Sequence, residues 1–178
     1  MIRLTKLDAA QSQLRTAIRL FFEEHDPVSI RTLASAAQEV FRGLIKARGI
    51  PSPSIKDTDR IPDDKRGLWI KAVNRESTFF KHADTDPDAV LDFDPDFVQF
   101  IILDGCLMCS KLTDGKIPRE CTVFGHWFIL KNPQFLKDDN PLRTQIIRFP
   151  QAEILAHSNR KVFLAWLDID DLWQGPKA

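Results

Sequence analysis

Arg75 and His82 are two side chains whose types together fit one reaction. Six residues separate them in the segment NRESTFFKHAD. On a continuous helix that spacing sets them two turns apart on nearly the same face, about 10 Å along the axis. An arginine there can hold a phosphate and a histidine can shuttle a proton, the two parts that metal-free RNA cleavage needs. Lys81, next to His82, would add positive charge to the same place. The pattern is a loose one, because Arg19…His25 and Arg119…His126 also satisfy it. A plainer account competes with it, in which Arg75 is a solvated surface residue and His82 ends a helix, where the dipole favours a cation.

Other constellations are weaker. Cys106, Cys109, Cys121 and His126 run in the order of a zinc site. Cys106 and Cys109, however, fall inside an apolar helical pattern rather than a tight polar turn, so they are expected to pack in the core as small hydrophobes. No metal and no cofactor are expected. Asp84, Asp86 and Asp88 match the first ligand spacings of a calcium-binding loop, but Ala89 stands where the turn needs Gly and Pro95 where it needs Glu. With Asp92, Asp94 and Asp96 they read as a solvated, helix-capping loop. The chain has 13 Phe, 4 Trp and no Tyr. Most of these fall on apolar faces, which favours core packing over base stacking. There is no phosphate-cradling glycine loop, no nucleophile elbow and no zinc-protease motif, and only seven glycines occur.

The 178 residues suit one domain, expected to span 1–178, with 43% hydrophobic and 28% charged residues. Lys+Arg and Asp+Glu number 25 each, so composition lends no support to a general nucleic-acid or membrane binder. The start, MIRLTKLDAAQ, lacks the apolar core of a signal peptide, and no apolar run approaches the ~20 residues of a membrane span. With three cysteines, the expectation is a cytoplasmic protein without disulfides.

These residues must be positioned by helices. Leu7, Ala10, Leu14, Ala17, Ile18 and Phe21 repeat at helical spacing. Asp26-Pro27 then caps and opens a second helix through Ile30, Leu33, Ala34, Ala37, Val40, Phe41, Leu44 and Ile45, and Gly49 ends it. The short link makes the two an antiparallel hairpin. Residues 50–63 read as a loop. A third helix is expected over 64–82 with Leu68, Trp69, Ala72, Val73, Phe79 and Phe80 as apolar members. A brief extended piece is possible at Ala89–Phe93. A fourth helix is expected over about 95–113 and a fifth over about 118–131. Asn132–Gln151 is ambiguous. Arg160–Leu172 reads as helical, and its apolar face, with Trp166 and with Trp173 just beyond, needs either the chain's own bundle or a second subunit to cover.

An N-terminal helix pair followed by an Arg-x(4–6)-His element on a later helix resembles the HEPN superfamily, over residues 7–113 and with Arg75 and His82 as the matching residues. The resemblance implies a helical bundle and, in many members, a dimeric, metal-independent endoribonuclease; other members are non-catalytic dimerising or substrate-binding modules. In the nucleases a polar residue, often Asn, follows the Arg, whereas Glu76 follows it here and Asn74 precedes it. The expectation is therefore an all-α helical bundle built on an N-terminal antiparallel hairpin, with an irregular C-terminal tail. Its function is expected to be that of a non-catalytic interaction or ligand-binding module for a protein partner or small ligand, with a homodimer among the forms it could take. The alternative is a HEPN-like RNA endoribonuclease using Arg75 and His82.

Overall fold

A computed structural model describes residues 1–84, 86–140 and 152–168. Among these the protein is all-helical, with no strand. Helix α1 spans Lys6–Phe22 and α2 spans Pro27–Ala47. Helix α3 is Asp63–Phe79, α4 Val98–Leu112 and α5 Arg119–Lys131. Two short pieces, α6 (Ala152–His157) and α7 (Leu164–Leu167), complete the described chain.

Local chemistry explains the boundaries. Thr5 and Asp8 form a reciprocal capping box at the start of α1, and Asp26 caps α2 ahead of Pro27. At the end of α2 the Gly49 N–H bonds the Lys46 carbonyl and the Ile50 N–H bonds the Ile45 carbonyl, with Gly49 at φ 65°. That left-handed turn is open to glycine at little cost.

The α1–α2 hairpin packs against α4 and α5. The core gathers Leu14, Ile18, Phe22, Phe41, Ile101 and Phe124, all fully buried. Helices α1 and α4 come close at Gly105, where a Cβ would sit 3.0 Å from Leu14 Cδ1. The tail covers its own bundle: Phe163 is buried and stacks on Phe22, with ring centroids 5.8 Å apart, and Leu167 is buried as well. Among the described residues, the tail helix expected over Arg160–Leu172 is not one continuous α-helix. A 3-10 turn over Arg160–Phe163 leads into the single turn of α7, while Leu172, Trp173 and residues 141–151 lie outside the described residues. The extended piece at Ala89–Phe93 does not form a strand.

Charged groups join the apolar layers. Glu120, at the start of α5, is 3% exposed and ties that helix to α1 by accepting from Arg15 Nε at 3.1 Å and Arg19 Nε at 3.0 Å. Burial raises the Glu120 pKa, but hydrogen bonds from its own backbone N–H and from the two arginines outweigh this and hold it below its ordinary value. A depressed folded-state pKa stabilises the fold above the unfolded value, about 4.3 for Glu, and that contribution is lost as pH falls through the folded value. Because the arginines are half-exposed, the link contributes about 1–2 kcal/mol rather than the full worth of a buried pair. Urea denaturation of Glu120→Gln is expected to show that loss at neutral pH. The gap to the parent protein is expected to close as pH falls below about 4.

Candidate ligand-binding cleft on the third helix

Helix α3 differs from its neighbours in how little apolar surface it buries. Only Val73 and Ser77 are buried on it, and Leu68, expected on its apolar face, is 72% exposed. Polar links hold it instead. Arg31 of α2, 1% exposed, donates from Nε to Glu76 at 2.8 Å and from Nη2 to the Val73 carbonyl at 2.8 Å, and it also bonds Ser35 Oγ. Trp69 Nε1 donates to the Ile55 carbonyl at 2.7 Å.

The Ile55 segment is itself anchored. Asp104 of α4, fully buried, accepts from the Ile55 N–H at 2.8 Å, Ser54 Oγ at 2.9 Å and Gln38 Nε2 at 2.6 Å. Burial pushes the Asp104 carboxyl above its ordinary range despite these donors. Beside it Lys56 is buried in an ion pair with Glu39, and burial pulls its pKa down. Arg42 and Asp57 form a two-pronged pair at 2.6–3.0 Å, which holds the Asp57 carboxyl below its usual value.

With Val73, Glu76 and Ser77 turned to the bundle, the opposite stripe of α3 lines an open cleft of about 660 Å³. Lys71, Asn74, Arg75 and Thr78 follow the three- and four-residue steps of one helix face, and Phe79 and His82 extend it. The opposite wall is the acidic segment, through Asp86, Val90, Leu91 and Asp92. Arg75 spans the two walls, donating from Nη2 to the Asp92 carbonyl at 2.7 Å. Phe80 meets Phe93 edge-on at 5.3 Å and closes the base of the same segment.

The structure thus brings Arg75 and His82 to one cleft, although α3 ends at Phe79 and not at 82. The Lys81 and His82 N–H groups both bond the Thr78 carbonyl at 3.1 Å, so the chain makes one more turn before leaving. Lys81 is exposed and does not line the cleft. Glu76, the residue that departs from the nuclease pattern, serves as the partner of buried Arg31. The other two Arg…His pairs do not reach this place. His25 sits 3.2 Å from Glu23, and His126 lies on α5, its pKa lowered by burial.

No family model, curated protein or solved structure matches this chain.

The three cysteines lie in the core between α4 and α5, as free thiols. Hydrogen bonding between the Cys109 and Cys121 thiols, together with burial, pushes Cys109 far above its ordinary value, and Cys121, bonded also to Cys106, is raised as well. Such thiols are poor nucleophiles. Among the described residues, no group of three or more His, Cys, Asp and Glu side chains is placed to hold a metal. In the acidic loop, Asp94 caps the 3-10 turn Pro95–Phe97 by accepting from the Asp96 N–H at 2.9 Å.

The Arg75–Asp92 bond has a local consequence. Arg75→Ala is expected to free the 86–93 segment while leaving α3 docked through Arg31. Limited proteolysis should then cut that segment several-fold faster, with the thermal midpoint changed by no more than a surface substitution allows.

Proposed function

We propose that the chain is a non-catalytic binding module whose ligand site is the α3 cleft, and that it takes a small ligand with an anionic group and an apolar portion. The lining of the cleft carries this reading: Lys71, Arg75 and His82 along one helix face, opposite Val90 and Leu91. The volume of about 660 Å³ falls in the range of small-molecule sites. A guanidinium offers five N–H donors, and among the described residues one amine of Arg75 is engaged, on the Asp92 carbonyl. The remaining donors suit a carboxylate in forked geometry. Phe79, Val90 and Leu91 supply apolar contact for the rest of the ligand.

A second reading has one observation in its favour, the presence of Arg75 and His82 in the same cleft. In a HEPN-like, metal-independent endoribonuclease, Arg75 would hold the scissile phosphate of an RNA. His82 would act as general acid or base on the 2′-hydroxyl or the leaving oxygen. Two copies would face their clefts across a dimer axis. The binding reading is preferred because, among the described residues, no hydrogen bond fixes the His82 ring, and a proton-transfer histidine ordinarily has an orienting partner. Both readings suit a cytoplasmic setting, in keeping with buried free thiols. No helix among the described residues is long and apolar enough to cross a membrane.

One pair of assays separates the readings. Benzoate, an anion with a flat apolar body, is expected to shift the NMR signals of His82 and Arg75 saturably, and Arg75→Ala is expected to weaken it about tenfold. Single-stranded RNA is expected to stay intact with the protein in chelator. Chelator-resistant cleavage that disappears in a folded His82→Ala variant would establish the nuclease instead. Absence of any saturable benzoate shift would reject the ligand site.

A further inference from the structure

A second basic cleft, of about 510 Å³, lies between α1 and the start of α5 and shares no residue with the α3 cleft. Its floor is Glu120. Arg15 and Arg19 stand one turn apart on α1, and both reach this one carboxylate. Arg15 is gripped through Nε at 3.1 Å, and Arg19 through Nε at 3.0 Å and Nη2 at 2.9 Å. Their side chains remain 53% and 45% exposed. Both side chains line the open cleft.

Charge is out of balance here. One carboxylate offsets one of two guanidiniums. Lys116 lies at the rim, and Arg119, whose Nε donates to the Trp166 carbonyl at 3.0 Å, lines the same space. Among the described lining residues, Glu120 is the only acid. A bridge between α1 and α5 needs a single arginine. Like charges at positions i and i+4 repel one another, and Lys116 beside them adds to that repulsion. An arrangement that holds two half-exposed guanidiniums on one carboxylate at an open cleft is prepared for a second anion. The first turn of α5, which has no side-chain cap, opens onto the same space and adds its dipole in the same sense.

We propose that the α1–α5 cleft is an oxyanion site that binds a phosphate dianion on the guanidiniums of Arg15 and Arg19, with Lys116 as the third cation. Glu120 is its positioning residue. It touches the arginines and not the ligand, and it fixes both guanidiniums before the anion arrives. Ile117, Pro118 and Leu167, also in the lining, give the organic part of a phosphomonoester somewhere to rest.

The test is a titration of the full chain with inorganic phosphate and, separately, with phenyl phosphate. Both are followed by NMR at the backbone amides of residues 116–120. Saturable binding is expected at these amides, with each of Arg15→Gln and Lys116→Gln weakening it about tenfold. Arg75→Ala, in the other cleft, is expected to leave the affinity unchanged. Arg15→Gln keeps Arg19 on Glu120, and Lys116→Gln alters an exposed side chain, so both variants should fold; unchanged far-UV circular dichroism checks this. Tighter binding of phenyl phosphate would mark the ligand as a phosphomonoester, and equal binding would mark it as phosphate itself. Shifts that grow without saturating, or affinities unaltered in both cleft variants, would mean an adventitious ion only and overturn the proposal. Loss of binding in Arg75→Ala alone would place the anion in the α3 cleft and overturn it equally.

Discussion

The arrangement of this protein turns on one buried guanidinium. Taking an arginine out of water costs several kcal/mol unless its donors are met. Arg31 meets that condition on Glu76, the Val73 carbonyl and Ser35, and two of those three partners belong to α3. The helix that carries the candidate cleft is therefore attached by a charged group reaching out of the α2 core. This explains how a helix with two buried residues keeps a fixed orientation. It also explains which face looks outward, because Glu76 and Val73 are drawn inward and Arg75 is left on the cleft side.

The same logic extends through the connector between α2 and α3. That segment has no apolar stripe, and its backbone groups need partners. Asp104 supplies acceptors for Ser54 and Ile55, Lys56 reaches Glu39, and Asp57 takes Arg42. Trp69 then bonds the Ile55 carbonyl and passes this fixed position on to α3. The α1, α2, α4 and α5 core is held by apolar burial, whereas the α3 side is held by a buried polar layer. Such a layer contributes geometry more surely than stability, since each group must meet its partner to avoid a desolvation penalty.

How much of this was legible in the sequence depended on which force shapes each part. The helices of the core could be read because their signals are local. Ala10, Leu14 and Ile18 repeat at the helical period, Asp26-Pro27 is a cap, and Gly49 adopts the positive φ it was expected to take. Cys106 and Cys109 were placed in the core by their apolar flanks, and there they lie, with Cys121 buried as well. Helix α3 was read with too large an apolar face, because Leu68 and Ala72 look like core residues to a periodicity argument and only tertiary contacts show them exposed. Arg31, Lys56, Asp104 and Glu120 gave no signal, since the partners that tie them to other elements are 17 to 105 positions away and a charge in a helix normally reads as a solvated face. Asp104 had one faint mark, an acid inside the strongly apolar run of α4. Arg75 and His82 were found by residue type, but their shared cleft depends on the acidic segment folding back, which spacing could not reveal.

The central claim is that Arg31 docks α3 and thereby sets the cleft. Native-state hydrogen exchange on Arg31→Met, which keeps the side-chain volume and removes the donors, tests it most directly. The amides of α3 are expected to lose roughly 3 kcal/mol of protection while those of α1, α2 and α4 hold theirs. Unchanged protection in α3, or an equal loss across the whole bundle, would contradict the account.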